Sequence, residues 1–303
     1  MDPVSHLIRL ARLRGAVDKR CLLAGDTTID NGTRPAGEAP FHLLLEGECT
    51  LELADRSLDL VPGDVVLLPR GRAHRVHTRG RGPRRALVEE AGGAFPTARS
   101  QGAASEIDLF CGHFAFGPGA GELLFQSLPD PLHVSFGAEA GEPVRMLSAL
   151  MRSEAQNDGP GTTAIVISLC DALLAMVLRS TSNRRLAGDA LWTAVDDERL
   201  RAVVDAVLGD PGRDWTIPEF AGLAAMSRAT FIRRFTRATG MTVGDFLTRV
   251  RMITAAELLT AGDRPVGAVA AEVGYRSESA FGRAFREATG TTPARFRRTT
   301  TRS

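Results

Sequence analysis

The sequence predicts an α+β chain in three regions: a small N-terminal β-barrel, a helical linker, and an all-α C-terminal region with two helix-turn-helix units. Three observations lead there. The 303 residues suit about two domains at roughly 100–200 residues each. Between Phe41 and Val76, apolar runs of four to six residues alternate with turn signals, the pattern of short strands in a barrel or sandwich. The last third repeats itself at a spacing of 50 residues. The regions are read as 1–140, 141–188 and 189–303.

The strand-rich stretch FHLLLEGECTLELADRSLDLVPGDVVLLPRGRAHRV is punctuated at Glu46-Gly47, Ala54-Asp55-Arg56, Pro62-Gly63-Asp64 and Arg70-Gly71. Strand alternation turns His42 to the side of Leu44 and Glu46, and His74 can face the same interior. Four cysteines (Cys21, Cys49, Cys111, Cys170) are scattered without a CxxC pair. That argues against a disulfide scaffold or a structural zinc, and for a reducing, cytoplasmic setting. By default all four read as small buried hydrophobes. Cys21 follows Lys19 and Arg20, cations that favour a thiolate, so it is the redox candidate.

Two linker helices are expected at Pro143–Gln156 and Thr162–Arg179. The second carries Ile165, Val166, Leu169, Leu173, Leu174, Met176, Val177 and Leu178, a wide apolar surface that suits packing on the barrel or on a partner subunit in a homodimer. Its apolar stretch, Ala164 to Leu178, is broken by Asp171 and is too short and polar to span a bilayer. No secretory core follows the N-terminal MDPVSHLIRLARLRG, so no membrane partner is expected. Ser180–Gly188 is the expected hinge, and a helix over Ala190–Leu208 follows.

In the C-terminal third, MSRATFIRRFTRATGMTVGDF (from Met226) falls on RSESAFGRAFREATGTTPARF (from Arg276) with nine of 21 positions identical, where chance gives roughly one or two. Each copy reads as helix, turn, helix. Thr216-x-x-Glu219 is a capping box before a helix to Ala225 that buries Phe220, Leu223 and Ala224. Ser227 and Ser277 cap the second helices, and Gly240 and Gly290 end them. A long amphipathic helix, Val243–Thr260, lies between the copies.

At 100° per residue, Phe231, Phe235 and Ala238 share a buried face, as do Phe281, Phe285 and Ala288. The opposite face shows Ala229, Ile232, Arg233, Thr236 and Arg237 in one copy, and Ser279, Gly282, Arg283, Arg286 and Glu287 in the other. Small residues let a helix backbone approach a DNA groove, and Arg reaches guanine edges. Ser227, Arg228, Thr230 and Ser277, at the helix N-termini, suit phosphates. Charge agrees: from Asp214 onward there are 14 Arg, no Lys and 8 acidic residues, so this third carries +6 while the rest carries −5. A basic module joined to an acidic body implies a polyanionic partner, here double-stranded DNA.

Residues Trp215–Arg298 resemble the DNA-binding domain of the AraC/XylS family of transcription regulators. The signature G-Y-x-S-x-S-x-F-x-R-x-F-x-x-x-x-G-x-[TS]-P runs here from Gly274 to Pro293, and Ala229 stands where larger side chains are common in the family. Upstream, Gly63-x5-Pro69-x-Gly71-x2-His74 and LLLEGE resemble the two cupin motifs, while LFCGHFAF and LPDPLHV resemble the subgroup whose cupin continues past residue 130. The resemblance implies a sensor domain answering a small-molecule effector or an oxidant, a role as activator or repressor of transcription, and contact with RNA polymerase. It implies His42 and His74 in the effector pocket. Metal-binding cupins use three His and a Glu, so His42 and His74 are either hydrogen-bonded core histidines or ligands of a divalent metal, with His77 or Glu46 as a third. No enzyme activity is expected; the alternative is a metal-dependent cupin enzyme with an accessory DNA-binding region.

Overall fold

The computed structural model describes residues 5, 8, 11, 13–78, 85–92, 94–102, 104–116, 120–126, 128–136, 142–156, 159–183 and 197–300. Its strands are β1 (Arg14–Leu23), β2 (Thr28–Asn31), β3 (Glu38–Glu46), β4 (Cys49–Glu52), β5 (Ser57–Leu60), β6 (Asp64–Leu67), β7 (His74–Thr78), β8 (Leu87–Glu90), β9 (Thr97–Ser100), β10 (Ile107–Ala115) and β11 (Leu132–Ser135). They form a larger sheet in the order β11-β6-β3-β10-β1-β9-β8 and a smaller one in the order β2-β7-β4-β5. The expected barrel-like domain thus takes the form of two sheets. No hydrogen-bonded ladder joins them among the described residues. Side chains from both, including Cys21, Leu44, Cys49, Leu51, Val66, Val76, Leu109 and Cys111, share one core.

Strands β3 and β10 are buried along nearly their whole length. The smaller sheet covers one face and helices the other, which erases the alternation expected of a half-exposed strand. Helix α1 is Ala120–Gln126, α2 is Glu142–Gln156 and α3 is Thr162–Asn183. Gly15 on β1 lies against Cys170 on α3 so closely that a Cβ there would sit 2.3 Å from the Cys170 Cβ. Gly15 N donates to Asp171 Oδ1 at 3.2 Å. Arg152 on α2 reaches Asp108 on β10 at 3.0 Å and Glu46 on β3 at 2.9 Å, and Arg20 on β1 grips the same Asp108.

Helix α3 is longer than expected, and by length and composition it could cross a membrane. In this structure it instead buries Val166, Cys170, Leu173, Leu174, Val177 and Leu178. Ser180–Asn183 of the expected hinge continue α3, while 184–188 and the expected helical start at 190–196 lie outside the described residues.

Compactness divides the chain into one unit of residues 14–115 and 130–177, and another of 1–13, 116–129 and 178–303. The second unit contains α1 and also α4 (Glu198–Gly209), α5 (Ile217–Leu223), α6 (Arg228–Thr239), α7 (Val243–Thr260), α8 (Val266–Glu272), α9 (Glu278–Thr289) and α10 (Pro293–Thr300). Within it, α1 packs on the long helix α7. The Thr216 capping box forms as the spacing predicts, and Thr242 with Asp245 makes a second one at the start of α7. Leu223 is a correction: α5 ends there and leaves it 43% exposed, since Phe220 and Ala221 already fill the inward face.

Gly112, at the centre of β10, allows the closest packing in the larger sheet. A Cβ there would lie 2.2 Å from Ala16 O and 2.6 Å from the Phe41 ring. Neither neighbour can yield easily, so Gly112→Ala is expected to cost about 1–3 kcal/mol through overpacking. Urea unfolding of the variant checks this, and an unchanged midpoint would show that the sheet can open at β10.

Candidate functional site

The repeat in the sequence is a repeat in space. Phe231–Phe235 and Phe281–Phe285 have centroid separations of 5.6 and 5.5 Å, and Phe235–Phe246 and Phe285–Phe296 of 5.4 and 5.2 Å. Ser227 accepts from Thr230 N at 3.3 Å, and Ser277 from Ala280 N at 3.2 Å. Gly240 and Gly290 share φ 72° and ψ −3°, the left-handed conformation glycine allows without strain. The turns differ: the first places Ala225 at φ 49°, two residues before Ser227, whereas Gly274 precedes Ser277 by three.

These anchors fix which face of α6 and α9 turns outward. Ser227, Arg228, Ala229, Ile232, Arg233 and Arg237 are exposed on α6, and Ser277, Ser279, Arg283 and Arg286 on α9; Thr230 and Gly282 are half-buried. Arg228, Arg233, Arg237, Arg283 and Arg286 form no salt bridge among the described residues. Their neighbours are spoken for, Arg234 by Asp197 and Arg276 by Asp214. The unit thus shows two matching sets of guanidinium groups along capped helices, with Arg237 and Arg286 in the last turns, a surface suited to phosphates and base edges.

A second constellation lies in the core of the strand-rich unit. β10 runs between β1 and β3, with Cys111 directly opposite His42 and Cys21 opposite Leu109. His42 Nδ1 lies 3.2 Å from Cys111 Sγ, and Cys111 Sγ lies 3.7 Å from Cys21 Sγ. On its other side, His42 Nε2 meets His74 Nε2 of β7 at 2.7 Å, a hydrogen bond that crosses from the larger sheet to the smaller. His74 Nδ1 lies 2.8 Å from Arg72 O. All four ring nitrogens are therefore engaged within the chain.

The fixed end orders the rest. A carbonyl only accepts, so His74 Nδ1 carries hydrogen and donates to Arg72 O. In a neutral ring, Nε2 of His74 then accepts from Nε2–H of His42. His42 Nδ1 in turn accepts from the Cys111 thiol, which accepts from the Cys21 thiol. Burial holds the His42 pKa well below the usual imidazole value, and the neighbouring His74 adds to this; burial lowers His74 as well. The Cys21 thiol is pulled down by its hydrogen bond with Cys111 and by Lys19, against its own burial. Cys111 is pushed up. Burial first and neighbouring carboxylates second push Cys49 and Cys170 up to about 12, so those two thiols are inert at neutral pH.

A metal does not fit this arrangement. Among the described residues, no three His, Cys, Asp or Glu side chains come together to hold one. The expected third ligands are elsewhere: Glu46 pairs with Arg152, and His77 lines a different surface pocket with Asp26 and Arg75. His74 lines a 290 Å³ pocket with Asn31, Glu52 and Arg75, while His42 is 2% exposed. Cys111, the residue that joins the histidines to Cys21, was read from sequence only as a buried hydrophobe. Strand register brings it there, and nothing in the sequence around it signals the contact.

Residues 2–183 match the sequence profile of a family described as Cupin, and residues 220–299 that of a helix-turn-helix domain. An "Uncharacterized HTH-type transcriptional regulator" of Haemophilus influenzae is 35% identical, the alignment covering 98% of this chain and 99% of that protein. The "RCS-specific HTH-type transcriptional activator RclR" of Escherichia coli K12 is 28% identical, covering 98% and 97%. Among solved structures, the DNA-binding domain of AdpA in complex with a target DNA is 35% identical over 32% of this chain and 87% of that one, with a TM-score of 0.31. ToxT from Vibrio cholerae aligns over 95% and 98% at 12% identity and a TM-score of 0.40.

The buried histidines carry a pH signature. Below about pH 6.5 the unfolded chain takes up protons that folded His42 and His74, with depressed pKa values, refuse. Their contribution to stability is whole above that pH and is lost as the pH falls toward the folded values. His113, raised by its hydrogen bond to Asp18, acts in the opposite sense: its contribution is whole below about pH 6.5 and lost as the pH rises through its folded value. Thermal melts from about pH 7.5 down to pH 5.5 should show a steeper acid loss in the native chain than in a His42→Gln, His74→Gln double variant. Equal slopes would mean the pair is not neutral.

Proposed function

The chain belongs to the AraC/XylS family of transcription regulators with an N-terminal cupin-type sensor domain, and on that premise we propose that it activates transcription from a specific DNA site when an oxidant acts on Cys21. The observation that carries the choice of signal is the closed hydrogen-bond chain from Arg72 O to Cys21. It leaves no histidine nitrogen for a metal and ends on a thiol favoured toward the thiolate. In this reading Arg233 and Arg283 read base edges, Arg286 and Arg237 support them, and Ser227, Ser277 and Arg228 hold phosphates. Ala229, Thr230, Ile232, Ser279 and Gly282 let the two helices approach the groove. The protein works in the cytoplasm as a homodimer formed through α2, α3 or the cupin, and engages RNA polymerase beside its operator.

A specific cavity favours a second reading, a small-molecule effector. It measures 530 Å³ and is lined by Leu44, Val61, Pro62, Val144 and Ala149, with Arg152 at its edge; the size and apolar lining suit a small ligand. Here His42 and His74 would act from the separate pocket that His74 lines. Reporter induction separates the readings. Cys21→Ser silences the response if the signal is an oxidant, whereas substitutions at Val61 or Val144 silence it if an effector fills the cavity.

The DNA surface is tested independently. Arg283→Ala should cost ~1–3 kcal/mol on the specific site and relax the preference there. Arg228→Ala should weaken all sequences alike and flatten the salt dependence by about one unit of slope. Fluorescence anisotropy over a salt series reads both, and unchanged affinity of the Arg283 variant would place the base contacts on another face. A metal-dependent cupin enzyme would require metal retention and turnover, which metal analysis and substrate screening detect.

A further inference from the structure

A hydrogen-bond chain with one fixed end has two ordered arrangements that keep every buried polar group paired. In the first, all members are neutral and the protons point from Cys21 toward Arg72 O. In the second, each proton has moved one place. Cys21 is then a thiolate accepting from Cys111, the Cys111 sulfur accepts from Nδ1–H of His42, and His42 Nε2 accepts from His74. His74 is an imidazolium whose Nδ1–H still donates to Arg72 O. No heavy atom moves between the two. The contacts that permit the exchange are 3.7, 3.2, 2.7 and 2.8 Å.

We propose that Cys111, His42 and His74 form a proton relay that creates the Cys21 thiolate, and that Cys111 is the resolving thiol with which oxidised Cys21 closes a disulfide. The proposal rests on the reading of an oxidant as the signal and supplies the chemistry of that site. The proton is held at the more favourable end, because His74 lines a surface pocket while Cys21 is 0% exposed. Complete burial also selects the oxidant: it must be small and uncharged, such as hydrogen peroxide, and a bulky disulfide such as oxidised glutathione cannot reach the sulfur.

The steps balance. The Cys21 thiolate attacks one peroxide oxygen and the O–O bond breaks, leaving a sulfenic acid and hydroxide; the proton stored at His74 returns along the relay and makes water. The Cys111 sulfur then attacks the Cys21 sulfur, its proton leaves with the departing hydroxyl as a second water, and the S–S bond forms. Two thiols have lost two electrons to one peroxide. Closure must shorten 3.7 Å to about 2.05 Å between diagonal partners, since Cys21 faces Leu109 and Lys19 faces Cys111. Oxidation therefore pulls β1 against β10 beside the register shift at Val17/Lys19 and breaks the Cys111–His42 contact.

Full-length protein treated with hydrogen peroxide and mapped by non-reducing peptide mass spectrometry tests this. The charged groups facing the chain are Lys19 and Asp18 on β1, Arg34 before β3, Glu89 on β8 and Asp108 on β10. The expected product is a Cys21–Cys111 disulfide, and Cys111→Ser should instead accumulate a Cys21 sulfenic acid, which dimedone labels once the oxidised protein is unfolded in its presence. His42→Gln and His74→Gln keep a donor and an acceptor but cannot pass a proton. At about pH 7.5 they should melt and bind DNA like the native chain when reduced, yet form the disulfide ~100-fold more slowly, with the pH profile of that rate moved upward. Native rates and profiles in both glutamine variants would overturn the relay, and pairing of Cys21 with Cys49 or Cys170 would overturn Cys111 as partner. If the relay-dependent disulfide forms but leaves transcription of a reporter unchanged, the relay stands and the oxidant reading of the signal falls.

Discussion

A backbone carbonyl accepts hydrogen bonds and never donates them, and the core of the strand-rich unit is ordered by that asymmetry at Arg72. Leaving any of the four buried groups beyond it unpaired would cost about 1–3 kcal/mol. His74, His42, Cys111 and Cys21 are therefore held in one sequence of donors and acceptors. The His42–His74 bond also ties the two sheets across an otherwise apolar interior. That interior makes the protonated forms costly, so the chain rests in its neutral arrangement.

The outer surface of the same sheet is built on the opposite principle. Asp108 is held by Arg20 and Arg152, and Arg152 reaches on to Glu46. A carboxylate shared by two guanidinium groups has its oxygens taken up by charge-assisted hydrogen bonds. Neighbouring residues of β1, Arg20 and Cys21, thus face two environments: one locks α2 to the sheet, the other leaves protons free to move. β10 takes part in both through Asp108 and Cys111, and its C-terminal end continues into a segment that belongs to the helical unit.

The helical unit shows one packing solution used twice. Three phenylalanines at matching positions, a serine cap and a left-handed glycine hold each recognition helix, so its outer face is determined by its inner one. Ala225, the one positive-φ alanine among the described residues, marks where the first turn is one residue tighter than the second. Strain of order 1 kcal/mol at such a site is tolerable because caps and aromatic contacts on both sides over-determine the turn.

The DNA-facing half was legible in the sequence because its information is local. Caps, left-handed glycines and a 3.6-residue period are written within single helices, and a 50-residue repeat reports each of them twice. The outer face of the arginines of α6 and α9 therefore follows from the helical period alone. The strand-rich half was legible only as strands. Burial on both faces removed the alternation from β10, and the sequence carries no mark of which strands lie side by side. Cys21 and Cys111 are 90 residues apart, and His42 and His74 lie in different sheets. Whether they form a metal site, an effector pocket or a thiol relay depends on register and on what each nitrogen touches, and those are properties that only the folded pairing of β1, β10, β3 and β7 decides.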